Sequence, residues 1–115
     1  NLVPCKIEAG HADLGGGVRI ALPASLAGKG TAQTQFGIRP ENIALSASEG
    51  AVSASASVVI TEPLGAETLV TFKLGDSEMV ARCAASFAGK PGDAMQVYLA
   101  SNHMQLFDAA SGVAL

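Results

Sequence analysis

The fragment Gly28-Lys29-Gly30-Thr31 is the part of this 115-residue chain that most resembles a phosphate-binding loop. Such a loop has a glycine, four further residues and then Gly-Lys-Ser or Gly-Lys-Thr, and it opens a helix whose backbone amides hold the phosphate. Here Gly30 separates Lys29 from Thr31, and no glycine stands five places before Gly28. The flanking residues predict strands. We therefore expect a surface loop without a nucleotide-binding role.

Catalytic constellations are equally absent from the sequence pattern. No serine lies in a Gly-x-Ser-x-Gly sequence, and neither His11 nor His103 has neighbours that would make it a base with an orienting partner. The ten carboxylates are scattered, without the repeated pairs that glycosidases or metal cages use. The residues thus predict no catalytic residue, no cofactor site and no metal site in this chain. We expect both histidines to be exposed or structural.

Two cysteines, Cys5 and Cys83, lie far apart and show no C-x-x-C spacing. That spacing is what a zinc site or a thioredoxin-like motif requires. Free cysteine is among the residues most often found inside proteins. We therefore expect both to be small buried residues.

The composition is that of a globular domain rich in turns. The chain is 49% hydrophobic and 15% charged, contains 13 glycines and carries a net charge of −3. A negative chain with one tyrosine, four phenylalanines and no tryptophan is a poor candidate for a nucleic-acid binder, which needs a basic groove and stacking aromatics. No apolar run reaches the length of a membrane-spanning helix, and no signal peptide opens the chain. We expect a soluble, intracellular protein.

Hydrophobic residues recur with a period of two, which is typical of strands that bury one face. The longest example predicts a strand from Val52 to Ile60, with Val52, Ala54, Ala56, Val58 and Ile60 facing inward and the serines between them facing outward. The pattern predicts two further strands over 69–74 and 78–83, joined by the hairpin turn Gly75-Asp76-Ser77.

Shorter runs predict five more strands, and glycine and proline mark the turns between them. These strands are expected at Val3 to Glu8, Val18 to Leu22, Thr34 to Arg39, Met95 to Leu99 and Met104 to Phe107. Gly15-Gly16-Gly17 predicts a hairpin, and Pro40-Glu41-Asn42 a turn or short helical step, since proline fixes its own φ and biases Arg39 toward an extended conformation.

About eight short strands and no long helix predict an all-β fold, and specifically a small OB-like β barrel. Closure of a barrel removes the exposed strand edges that otherwise favour aggregation. An immunoglobulin-like sandwich is the competing architecture, but its buried tryptophan and the context of its paired cysteines are missing. The length fits one domain, residues 1–115.

Three landmarks in order give the chain a family resemblance. They are Phe36-Gly37-Ile38-Arg39-Pro40-Glu41, then Leu64-Gly65-Ala66-Glu67, then Leu106-Phe107-Asp108. Together they resemble the C-terminal regulatory (TOBE-type) β domains of bacterial ABC-importer ATPases of the maltose, sugar and glycerol-phosphate class. The resemblance covers most of the chain, with Ser111 where the family commonly has threonine.

The resemblance implies a regulatory and dimerisation domain without catalysis of its own. In that family an ATPase domain precedes such a segment in the same polypeptide, and Asn1-Leu2 resembles the junction between the two. We therefore expect a fragment whose parent binds ATP and Mg, forms a homodimer, and assembles with membrane-spanning permease subunits and a regulatory protein. The parent would be cytoplasmic and peripheral on the inner face of the plasma membrane, powering carbohydrate import.

The family motif also supplies candidate site residues, for which two interpretations remain open. In the first, Arg39 and Glu41 form a charge-assisted bond that braces a strand exit, and Glu67 caps a β turn. In the second, Gly37, Arg39, Pro40, Glu41, Gly65 and Glu67 belong to a surface that contacts the dimer mate or a regulatory partner.

A different role is implied by related TOBE domains that bind oxyanions such as molybdate between barrels. A site of that kind would use backbone amides with serine, threonine or lysine side chains at subunit junctions. This sequence offers such residues but no dedicated constellation. We keep oxyanion binding as the alternative function.

Overall fold

Ten strands form two five-stranded antiparallel sheets in the computed structural model, which describes residues 1–115. The first sheet has the spatial order β10 (Gln105–Asp108), β4 (Thr34–Gly37), β1 (Leu2–Glu8), β2 (His11–Asp13) and β3 (Arg19–Ala21). The second has the order β5 (Ile43–Ala44), β9 (Ala94–Ala100), β6 (Ala51–Pro63), β7 (Glu67–Leu74) and β8 (Ser77–Ala84). The expected all-β, OB-like fold is confirmed.

Helical structure is limited to three short pieces. The helix α1 spans Ala24–Ala27, and two 3-10 turns span Pro40–Asn42 and Ser101–His103. Pro40 opens the first of these turns because its fixed φ suits the first helical position and its missing N–H has no partner to lose there. No helix combines the length and the apolar character that crossing a membrane would need.

Both sheets contribute to one hydrophobic core, and the period-two pattern explains which residues reach it. On β7 the alternate residues Val70, Phe72 and Leu74 are fully buried, as the sequence predicts. The largest fully buried side chains are Phe36, Phe72, Ile20, Leu74, Met79, Leu99 and Leu106. They come from strands of both sheets, so neither sheet can bury its inner face without the other.

The strand β6 changes its partners along its length. It pairs with β9 from Ala51 to Ser57 and with β7 from Ser57 to Pro63, and its register shifts between Val58 and Ile60. The shift is a β-bulge at Val59, which reverses the side-chain alternation beyond it. Ile60 is therefore 50% exposed. The expectation that Ile60 faces inward is wrong, although Ala54 and Val58 are buried as predicted.

The eight predicted strands are present, and two more were missed. The additional strands, β2 and β5, have three and two residues. Neither lies in a longer alternating run, whereas β3, which also has three residues, lies within the predicted run from Val18 to Leu22. The hairpin at Gly15-Gly16-Gly17 is confirmed between β2 and β3, whereas the last residues contribute only a bridge between Phe107 and Ala114.

The turn between β7 and β8 packs against the first sheet at very short range. The Asp76 N–H donates to the Leu14 carbonyl oxygen at 3.0 Å. Gly75 has a φ of +63°, and a Cβ at this position would lie 2.7 Å from the carbonyl oxygens of Leu14 and Gly15. Only glycine can satisfy both the positive φ and this backbone contact.

A second connection lies further along β8, where Asn1 joins the first sheet to the edge of that strand. Its side-chain nitrogen donates to the Val80 carbonyl oxygen at 2.9 Å, and its Oδ1 accepts from the Val80 N–H at 2.8 Å. Its backbone carbonyl accepts from the Ile38 N–H at 3.1 Å. The side-chain amide thus occupies the place of a neighbouring strand along the outer edge of β8.

We predict that Gly75→Ala lowers the free energy of unfolding by more than Gly92→Ala does. Both glycines have positive φ, so both variants carry the left-handed backbone penalty of about 1–2 kcal/mol. A Cβ at Gly92 meets no atom within 4 Å, whereas one at Gly75 clashes with backbone and adds about 1–3 kcal/mol. Urea denaturation measures the difference. Equal destabilisation by the two variants would contradict the proposed close packing.

Candidate functional site

Arg39 and Pro40 lie where β4 leaves the first sheet. Arg39 is extended, with φ −75° and ψ 149°, and Pro40 begins the 3-10 turn directly after it. The Asn42 N–H closes this turn on the Arg39 carbonyl oxygen at 3.0 Å, and the Ile38 N–H is held by Asn1. The backbone of the motif is therefore fixed on both sides, while the side chains of Arg39 and Glu41 are exposed.

The expected charge-assisted bond between Arg39 and Glu41 does not form. The one ion pair in the chain joins Arg82 Nε to Glu67 Oε1 at 3.9 Å. Arg39 has extended backbone and Glu41 lies in the 3-10 turn that follows it, and no ion pair joins their side chains. The bracing interpretation is wrong, and Arg39 keeps a guanidinium without an acidic partner.

The second landmark forms the turn between β6 and β7. Gly65 has a φ of +92°, and the Leu64 N–H donates to the Glu67 carbonyl oxygen at 2.8 Å. Backbone hydrogen bonding therefore closes this turn. The Glu67 carboxylate instead forms the ion pair with Arg82 on the neighbouring strand β8. The expectation that the Glu67 side chain caps the turn is wrong.

One strand lies next to both landmarks. The turn Pro40–Asn42 packs against β8, and Arg82, the partner of Glu67, belongs to the same strand. The structure thus places the first two landmarks beside β8. Whether they form an interface there stays a prediction.

Gly37 is buried, and its backbone does not have the positive φ that favours glycine. Glycine is needed here because a side chain would not fit. In register it lies between Leu2 on β1 and Gln105 on β10. A Cβ at Gly37 would lie 2.9 Å from Leu2 Cδ2 and 3.0 Å from Phe107 Cε2. The side chains of Leu2 and Phe107 therefore approach each other across the sheet in space that only glycine leaves free.

A cavity of about 640 Å³ opens beside Arg39 and Gly37. Its polar lining includes Asn42, Asn102, His103 and Gln105, and its apolar lining includes Leu2 and Phe107. Gly37, Arg39 and Glu41 were candidate site residues from the sequence, whereas the remaining lining residues were not predicted to belong to a site. They come from four separate segments, and no spacing in the sequence connects them.

The third landmark ends in a hydrogen-bonded carboxylate. Asp108 Oδ1 accepts from Thr31 Oγ1 at 2.8 Å, and Oδ2 accepts from Ser111 Oγ at 2.8 Å and from the Ser111 N–H at 3.0 Å. Hydrogen bonds from Ser111 and Thr31 hold the pKa of Asp108 below its usual range. The loop 28–31 is exposed, as expected, and Thr31 ties its end to β10.

The cysteines and histidines offer no reactive group. Burial raises the pKa of Cys5 to about 11 and also raises the pKa of Cys83, so both thiols stay protonated near neutral pH. Cys83 is buried as predicted, whereas Cys5 is half-buried. His11 is hydrogen-bonded to the Ala9 carbonyl oxygen, and His103 is exposed. No three His, Cys, Asp or Glu residues lie close enough together to hold a metal ion.

The fold and its landmarks define an accessory β domain. The family described as the TOBE domain matches residues 36–107, which include all three landmarks up to Phe107. The chain belongs to this family, and it is homologous to the C-terminal region of ABC-importer ATP-binding subunits.

Individual relatives make the comparison more specific. The chain is 36% identical over 113 residues to the sn-glycerol-3-phosphate import ATP-binding protein UgpC of Chromohalobacter salexigens, with 95% of the chain and 30% of the relative covered. It is 34% identical to the protein of that name from Ruegeria sp., with 97% and 30% covered. The Escherichia coli K12 relative is 33% identical, with 91% and 29% covered. The chain thus spans about 30% of the length of these relatives.

We predict that Asp108→Asn destabilises the domain at pH 6 and that this effect shrinks on acidification. A carboxyl group whose pKa is depressed by folding stabilises the native state above its unfolded pKa, and this contribution disappears as the pH falls through the folded pKa. The gap between wild type and variant should therefore narrow below about pH 4. Thermal unfolding across pH measures it, with the exposed Glu49→Gln as control. A gap independent of pH would refute the prediction.

Proposed function

We propose that this chain is the regulatory and dimerisation domain of the ATP-binding subunit of an ABC importer for sugars, polyols or glycerol phosphate. The observation that carries this proposal is the match of 95% of the chain to a protein named as an sn-glycerol-3-phosphate import ATP-binding protein. A TOBE domain is a non-catalytic module of such ATPases. ATP and Mg would be bound by the remainder of the parent protein, since this chain contains no phosphate-binding motif.

Such a domain can act without any catalytic residue. When two distal domains associate, they keep their ATPase domains at high effective concentration while these separate between turnovers. A regulatory protein that contacts this domain differently in the open and closed states would shift the balance between them. The parent would assemble with permease subunits and lie on the cytoplasmic face of the plasma membrane.

The exposed surface around the second landmark supports an interface role. Val59, Ile60 and Leu64 are 37%, 50% and 55% exposed and lie within six residues of one another. On its outer edge β6 is hydrogen-bonded as far as Val58, which is bonded to Gly92 and Asp93, and beyond Val58 this edge has no partner strand. Apolar side chains beside an unpaired edge are a favourable surface for another protein. Gly65 and Glu67 adjoin this surface, and Arg39 and Glu41 are exposed nearer to β8.

We predict that the domain is a dimer at micromolar concentration and that Leu64→Ser weakens the dimer. The variant removes apolar area from the proposed interface and leaves the core intact. Light scattering coupled to size exclusion, repeated over a dilution series, gives the mass. Val113→Ser is a matched control, because Val113 is 61% exposed but lies near the C-terminus, next to the bridge between Phe107 and Ala114 and away from the turn of Leu64. A strict monomer, or equal effects of the two variants, would contradict dimerisation through this surface.

In the full-length parent we predict that removing residues 1–115 alters ATP hydrolysis and transport. The reason is that the two ATPase domains would lose their distal connection and the contact site of the regulatory protein. ATPase activity of the reconstituted importer, with and without this segment, is the measurement. Unchanged hydrolysis and transport would eliminate the regulatory role.

Oxyanion binding between barrels remains the alternative function. It requires a dimer, since the site would lie at a subunit junction. Calorimetry with molybdate and with sulfate distinguishes the two functions, because a regulatory domain of the sugar-importer class should bind neither.

A further inference from the structure

The cavity beside Arg39 has features that dimerisation and regulation do not account for. Four segments line it: the start of β1, the end of β4 with its 3-10 turn, the turn Ser101–His103, and β10. Its volume of about 640 Å³ falls within the range of small-molecule sites. Three of these segments belong to adjacent hydrogen-bonded strands of the first sheet, β1, β4 and β10.

Polar groups on one side of the cavity favour an anion. Arg39 is the only arginine or lysine in the lining, and it has no ion pair with any carboxylate of the chain. The side chains of Asn42, Asn102 and Gln105 add amide groups that can donate hydrogen bonds. An arginine guanidinium pairs best with a planar carboxylate, to which it can donate two parallel hydrogen bonds.

Apolar side chains on the other side can accommodate carbon. Leu2 is 58% exposed, and it meets Phe107 over the surface of Gly37. An exposed leucine beside an aromatic ring can bury apolar area against a ligand, which contributes to binding in proportion to the area covered. The ligand would therefore carry an apolar body next to its acidic group.

Glu41 limits the charge of that ligand. Its carboxylate also lines the cavity and lacks an ion-pair partner, so it repels an anion bound near Arg39. Because Glu41 offsets much of the attraction of Arg39, a second negative charge on the ligand gains little Coulomb energy and costs more desolvation, so a monoanion is favoured over a dianion. The presence of Glu41 thus distinguishes this cavity from a binding site for phosphate or molybdate.

The backbone that carries Arg39 is held in place before any ligand arrives. The Ile38 N–H donates to Asn1, whose side chain is itself bound to Val80, and the Asn42 N–H donates to Arg39. The Met104 N–H closes the opposite turn on Ser101 at 3.3 Å. Little backbone ordering is needed on binding, which favours affinity for a small ligand.

From this geometry we propose that the cavity binds a small organic monocarboxylate with an apolar body. The carboxylate pairs with Arg39, the amides of Asn42 and Gln105 complete its hydrogen bonds, and the apolar body lies on Leu2 and Phe107. This site is distinct from an oxyanion site between barrels, because one barrel supplies all of its residues. The inference does not depend on the proposed role in an importer.

Phenylacetate is the probe for the test, with binding followed by amide chemical shifts in ¹⁵N-labelled protein. We expect saturable shifts at Ile38, Asn42 and Asn102 at millimolar concentration, and binding at least about tenfold weaker for acetate, which lacks the apolar body. Phenyl phosphate and molybdate should bind more weakly than phenylacetate. Absence of saturable shifts in this region with phenylacetate would overturn the proposal, as would equal affinity for acetate.

Two variants with opposite expected effects make the test specific. Arg39→Gln should weaken phenylacetate binding by about tenfold or more, since a hydrogen bond to a charged group is lost. Glu41→Gln should tighten it, because a repelling carboxylate becomes neutral. Lys73→Gln and Glu8→Gln change the net charge equally at exposed positions outside the cavity lining and should leave binding unchanged. Equal effects of the site variants and their controls would overturn the proposal.

The mass of the domain in solution shows whether it dimerises, so the carboxylate site and the proposed dimerisation can fail independently. Absence of saturable phenylacetate binding at millimolar concentration in a domain that still dimerises would refute the carboxylate site alone. Saturable binding by a strict monomer would refute dimerisation alone.

Discussion

The structure depends on the contact between the two sheets at Gly75. The core exists only because both sheets bury their inner faces against each other, and the turn that carries Gly75 brings them into backbone contact at Leu14 and Gly15. The Asp76 N–H fixes that contact with a hydrogen bond. Large core residues such as Phe36 and Phe72 can pack at interior density only when the sheets are held at this separation.

The long strands could be predicted from the sequence, whereas features set by partner strands could not. On β7 and β8 the alternation of apolar and polar residues decides which face is buried. β2 and β5 are too short to alternate and exist because neighbouring strands supply their hydrogen bonds. Ile60 lies in an alternating run, but the bulge at Val59 arises where β6 passes from one partner to another. A local pattern contains no information about that exchange.

In the candidate site, too, the residues that are contiguous in sequence could be predicted, whereas those brought together by strand pairing could not. The motif around Arg39 is contiguous, so the sequence reveals it together with the turn that Pro40 begins. Asn102 and Gln105 become its neighbours only because β10 pairs with β4. The absence of an ion pair between Arg39 and Glu41 could not be predicted from the sequence either, because it depends on where the turn places the two side chains.

Asn1 has a mechanical consequence for any polypeptide that continues from its amino group. Its side chain is bound to β8 while its carbonyl is bound to Ile38, so the residue is attached to both sheets at once. A preceding domain, as in the parent that we propose, would be joined to the barrel at a fixed point instead of through a flexible linker. Rotation of that domain would then apply torque directly to β8 and to the turn that follows Arg39.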